Sequence, residues 1–107
     1  MDFTILERMS LIGALPVQEN FLTLQIINSI KEKMLPTDEE IKNLNIHDTL
    51  DGMTRWDEKA SAGYISELPF SEAEEAYVAE ILKGLNEKRE LHAGLFTLYD
   101  KFVEAKR

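Results

Sequence analysis

Any chemistry in this chain must come from two histidines, five serines and twenty carboxylates, because it has no cysteine. The absence of cysteine excludes disulfides, thiolate metal sites and a cysteine nucleophile. His47 and His92 lie far apart in sequence, and neither sits in a metal-ligand spacing such as His-x-x-x-His. No Gly-x-Ser-x-Gly elbow surrounds Ser10, Ser29, Ser61, Ser66 or Ser71. Gly52, Gly63 and Gly84 are isolated and form no phosphate-binding loop. Asp51-Gly52 followed by Glu58 matches the end of a calcium loop, but that register puts His47 where the leading carboxylate belongs. A glycosidase-type carboxylate pair requires a cleft, and a domain of this size has a radius of gyration of only about 13 Å. The expectation is no catalytic residue, no cofactor and no bound metal.

The carboxylates carry more information as a field. The 107 residues hold 20 acids against 12 lysines and arginines, a formal charge of −8. Residues 1–37 are at −1, residues 38–80 at −9 and residues 81–107 at +2. Such a field disfavours direct binding to a nucleic-acid backbone and favours a basic protein partner. Helix starts explain about half of the acids in the middle segment: Asp38, Glu39, Glu40, Glu72, Glu74 and Glu75 fall in first turns, where the dipole favours negative charge. Asp48, Asp51, Asp57, Glu58 and Glu67 are left over, and the first four with Trp56 form the candidate partner-binding set. Tryptophan is enriched among interface anchors, although Trp56 could equally plug a small sheet against a helix.

Three capping boxes and two prolines place the elements that must position these residues. Thr4 with Glu7, Thr37 with Glu40, and Ser71 with Glu74 each have helix-start spacing. They predict helices over 4–15, 37–44 and 71–89. Asn20 opens another to about Met34, with Phe21, Leu24, Ile27 and Ile30 as a buried stripe. Pro16 and Pro36 end the first two helices. Ile5, Met9 and Ile12 form the stripe of the first. Gly84 in the long helix suggests either a close backbone approach or loose packing. Between them, residues 46–69 lose the helical period, and Asp51-Gly52 is a hairpin signal. Short strands near 46–50, 53–56 and 63–67 are expected to form one small antiparallel sheet, with 57–62 a connection. A break near residues 87–90 precedes a final helix to about Glu104.

The reading is a helix-rich α+β fold in a single domain: N-terminal helices over 1–45, a small antiparallel β-sheet over 46–69, and a long C-terminal helix plus a final helix over 70–105. The final helix is apolar on nearly all sides, which suggests packing against another subunit. Phe96, Tyr99 and Val103 are the candidate self-association residues, in a homodimer. No apolar run approaches the length of a membrane span, and Met1-Asp-Phe-Thr lacks the basic segment of a signal peptide.

Leu15-Pro16, Asn-Phe-Leu-Thr-Leu at 20–24, Thr-Asp-Glu-Glu-Ile at 37–41, a tryptophan within a short polar sheet, and Leu-Tyr-Asp-Lys-Phe at 98–102 together resemble the layout of short uncharacterised proteins from tailed phages and prophages. The resemblance covers most of the chain but includes no functional motif. It implies a phage accessory protein acting in the cytoplasm of a bacterial host. The function expected is non-catalytic protein–protein interaction: an inhibitor or adaptor offering an acidic surface to a basic or nucleic-acid-binding host or phage protein. The alternative is a self-associating structural or assembly subunit, and the third reading is a small hydrolase.

Overall fold

The three capping boxes open helices where the spacing requires them. In the computed structural model, which describes residues 1–106, the chain starts with a short strand, β1 (Asp2–Phe3), and continues into α1 (Ile5–Ala14), α2 (Phe21–Met34) and α3 (Asp38–Asn43). Strands β2 (His47–Asp48) and β3 (Thr54–Arg55) are followed by a one-turn helix, α4 (Glu58–Ser61), and by β4 (Ser66–Glu67). Then come α5 (Glu72–Glu87), α6 (Ala93–Phe102) and a final 3-10 turn (Glu104–Lys106). The fold is helix-rich α+β.

The strands differ from the expected single sheet. β2 and β3 form the hairpin, pairing His47 with Arg55 and Asp48 with Thr54. The third strand does not join them. β4 pairs antiparallel with β1, Asp2 opposite Glu67 and Phe3 opposite Ser66. The stretch 57–62, expected as a plain connection, holds α4, and Gly63 turns at a positive φ of 76° before β4 begins. The partner of β4 therefore comes from the opposite end of the sequence, where the expected reading began directly with a helix.

The core is built by α1, α2, α5 and α6. Leu11 and Leu15, Ile27, Ile30 and Met34, Val78 and Leu82, and Leu95, Leu98 and Phe102 pack together. Phe3 sits against Phe70 and Phe102 with ring centroids 5.5 and 6.1 Å away. The expected stripes hold in part. Ile5 and Leu11 are the buried hydrophobic residues of α1, with Met9 and Ile12 half-buried, and α2 buries Ile27, Ile30 and Met34 while Phe21 and Leu22 at its start are exposed. Val103, expected at a self-association surface, is in the core. Between Met34 and Val78 the only buried hydrophobic residue is Leu44.

Each capping-box glutamate does a second job. Besides closing its own helix start, it takes a cation from another helix. Glu7 accepts from the Thr4 amide and from Lys101 Nζ of α6 at 2.8 Å. Glu74 accepts from the Ser71 amide, from Ser29 Oγ at 2.7 Å and from Lys33 of α2. Glu40 accepts from the Thr37 amide and pairs with Arg8 through both oxygens, at 2.7 and 3.1 Å.

Arg8 is 2% exposed, and all five of its N–H donors are used. Nε donates to Met34 O at 3.0 Å, and the two terminal nitrogens donate to Leu35 O, Ser66 Oγ and Glu40. One side chain thus joins α1 to the carbonyls ending α2, the start of α3 and strand β4. Arg8 was not among the residues singled out from sequence. Its signal was its place three residues after Ile5 and three before Leu11, on the apolar stripe of α1.

The Arg8 guanidinium holds the Glu40 carboxyl at about 2, against burial that would raise it. Burial also acts to raise Glu74, but Lys33, the Ser71 amide and Ser29 outweigh it and hold that carboxyl at about 2. The unfolded-chain value for both is 4.5. A lowered folded-state value means the stabilisation is complete above about pH 5 and is lost as pH falls through 4.5 towards 2. Melting temperature followed by circular dichroism should drop steadily below about pH 5, and Glu40→Gln should flatten part of that slope. At neutral pH Arg8→Met should cost about 3–5 kcal/mol in denaturant unfolding, because it breaks the pair and leaves the partly buried Glu40 carboxylate and the Met34 and Leu35 carbonyls without their donor. The two helix glycines should respond with opposite signs. A Cβ at Gly84 would meet no atom within 4 Å, whereas one at Gly94 would collide with the Ser10 hydroxyl. Gly84→Ala should therefore stabilise by about 0.5–1 kcal/mol, and Gly94→Ala should destabilise by about 1–3 kcal/mol.

Candidate functional site

The acidic residues singled out from sequence lie on the β2–β3 hairpin and the turn that follows it. Gly52, at φ 81°, forms the hairpin turn and donates its N–H to Thr49 O at 3.0 Å. The Thr49 N–H donates to Met53 O at 2.7 Å, which fixes the register. The hairpin base is closed by the Asp57 N–H donating to Leu44 O at 2.8 Å.

Local structure uses three of the four candidate carboxylates. Asp48 accepts from Thr54 Oγ1 at 3.0 Å. Asp51 accepts from Thr49 Oγ1 and from the Met53 N–H, and the Thr49 hydroxyl with that amide draws its carboxyl below the ordinary value. Asp57 caps α4 by accepting from the Lys59 and Ala60 amides at 2.9 and 3.2 Å. Glu58 stands exposed in the first turn of α4. All four lie exposed at the surface, so the segment remains acidic even though three of these carboxylates also shape it. Trp56 is half-buried and lies outside the main core cluster. Leu50 at the hairpin tip is fully exposed, and Met53 is about half exposed.

A second acidic surface adjoins the hairpin, which sequence reasoning did not isolate. Strand β4, helix α3 and the end of α2 enclose an open groove of about 660 Å³. Tyr64 donates to Glu40 Oε2 at 2.6 Å, fastening the entry to β4 onto α3; that bond raises the Tyr64 hydroxyl above its ordinary value. Glu32, Glu39 and Glu67 line the groove together with Leu35 and Ile65, which are exposed by 53% and 51%. Arg8 lies at its base with every donor already engaged.

The histidines serve as backbone partners. His47 Nδ1 is 2.7 Å from Asn45 O, and His92 Nδ1 accepts the Gly94 N–H at 3.2 Å, capping α6. Among the described residues neither imidazole bonds a serine hydroxyl or a carboxylate, and no group of three or more histidines and carboxylates is placed to hold a metal ion. No helix among them is long and apolar enough to cross a membrane.

The structure divides the self-association set. Phe96 is 73% exposed, Tyr99 is half-buried and accepts from Asn86 Nδ2 at 3.4 Å, and Val103 is buried. Phe96 and Tyr99 share a shallow depression with Leu91. In comparisons with protein families, curated proteins and solved structures, no family model matches the chain, nor does any curated protein or solved structure.

Proposed function

We propose that this chain is a non-catalytic interaction protein, of the phage or prophage accessory kind, acting in the bacterial cytoplasm. It offers its acidic middle segment to a basic protein, as an inhibitor or an adaptor. One observation carries the reading. Residues 35–68 fully bury a single hydrophobic side chain, Leu44, with Leu68 half-buried against the core, yet among the described residues they hold six of the eleven exposed large hydrophobic ones. The same stretch holds eight carboxylates against three cations. A segment that buries so little apolar surface, and exposes apolar side chains among acids, has the composition of a docking surface for a partner with basic residues around apolar ones.

A second reading has its own observation. Phe96, beside Leu91 and Tyr99, is an exposed aromatic on a helix whose other face is fully packed. Self-association through Phe96 and Tyr99 would cover it; Val103 takes no part.

Affinity purification from infected or lysogenic cells, with bound proteins identified, tests the first reading. The captured partner should be basic, and its affinity should fall about tenfold or more between low and moderately high salt, as charge-steered contacts do. Reversing the charges of Asp48, Asp51 and Glu58, with Asp57→Asn to keep the α4 cap, should weaken it comparably. Salt-insensitive binding would reject the acidic-surface reading. For the second, light scattering should show a dimer that Phe96→Ser dissolves, and a monomer at high concentration would reject it.

A further inference from the structure

Strand β4 has two edges, and only one is covered. The Leu68 N–H donates to Met1 O at 2.8 Å, and Met1 N donates back to Leu68 O at 3.1 Å. That exchange makes Met1 and Leu68 a hydrogen-bonded pair of the antiparallel ladder. The next pair, Asp2 and Glu67, is then a non-bonded pair whose backbone groups point away from each other. On the β1 side the outward Asp2 carbonyl is occupied, since it accepts from Lys101 of α6. On the β4 side the Glu67 N–H and C=O have no partner among the described residues, and no second strand lies beside β4 there.

This open edge borders the groove between β4 and α3. Glu32, Glu39 and Glu67 form no ion pair among the described residues. The two cations nearby are already committed, Arg8 to its five acceptors and Lys33 to Glu74. Apolar surface from Leu35 and Ile65 lies between the acids.

We infer that the uncovered edge of β4 receives an extended segment of a partner protein as an added strand, whose side chains bring Lys or Arg to Glu32, Glu39 and Glu67 and apolar surface to Leu35 and Ile65. The inference rests on the acidic-surface reading and places the contact at β4 rather than at the hairpin tip. Main-chain hydrogen bonds to Glu67 provide affinity, and the basic and apolar side chains that meet the groove provide selectivity. Because β4 is only two residues long, the added segment makes its main-chain bonds at Glu67 and relies on side-chain contacts in the groove beyond it. Charge chooses the occupant. Pairing β4 with β4 of a second copy would bring two sets of the same carboxylates together, whereas a basic strand neutralises them.

The test is an amide NMR titration of the full chain with a short peptide of alternating lysine and valine. The expected result is saturable shifts at Ile65–Leu68 and along α3, reduced by salt. A peptide of the same charge with its central valines replaced by proline should bind about fivefold or more weakly, because it lacks strand donors, and a glutamate–valine peptide should not bind. In the protein, Glu67→Pro removes the outward N–H as well as the carboxylate, and should weaken binding well beyond Glu67→Gln, which removes the charge alone. If Glu67→Pro does not fold, the proline peptide with the unaltered chain decides. Equal binding of the proline peptide, or shifts confined to the β2–β3 hairpin, would overturn the strand addition while leaving the acidic surface intact. No shift with any peptide would also overturn it, and the salt dependence of the captured partner would still judge the broader reading separately. Concentration-dependent shifts at β4 in the chain alone would assign the edge to a second copy and overturn the basic partner.

Discussion

A buried guanidinium sets the terms for this fold. Arg8 is almost wholly removed from water, and such a charge is tolerable only where its donors are met. The acceptors come from three places: carbonyls at the end of α2, the carboxylate that caps α3, and the Ser66 hydroxyl of β4. None of these can be displaced without exposing a desolvated charge. The middle segment, with little hydrophobic anchorage, is therefore positioned by polar geometry. The core formed by α1, α2, α5 and α6 would not by itself specify where α3 and β4 lie.

The same economy recurs in the other two capping boxes. A glutamate at the third helical position already faces its own helix start, so its second oxygen or remaining lone pairs can reach a neighbour. Lys101 reaches Glu7 and Lys33 reaches Glu74, and each lysine also lies over a phenylalanine ring, Phe3 or Phe70, at 5.1 and 5.3 Å. These contacts tie together elements that are distant in sequence. They also show that several acids which look like simple helix-start residues are inter-helix links.

Much of the helical layout was legible because its signals are local. Thr4, Thr37, Asn20 and Ser71 cap helices as their spacing requires. Asp51-Gly52 marks the hairpin turn for the same reason. What escaped depends on distant partners. The strand at Ser66 carries no mark of pairing with Phe3, and two of the acceptors of Arg8 are backbone carbonyls, which no motif records. Phe21 and Leu22 follow the apolar period of α2 but extend beyond the core it packs against, so they remain exposed. At the candidate site, the acids around the hairpin were found from composition alone. Their use as turn and cap acceptors, and the groove beside β4, required the fold.

The scarcity of buried apolar side chains between Met34 and Val78 has an evolutionary consequence. Apart from Leu44, the links to Arg8 and the residues that shape the turns, most side chains on this segment face solvent. Substitutions there incur little packing penalty. The surface of α3, the hairpin and α4 can therefore be rewritten to follow a changing partner while the helical core stays the same, with Glu40 and Ser66 as the fixed points around which the variation must turn.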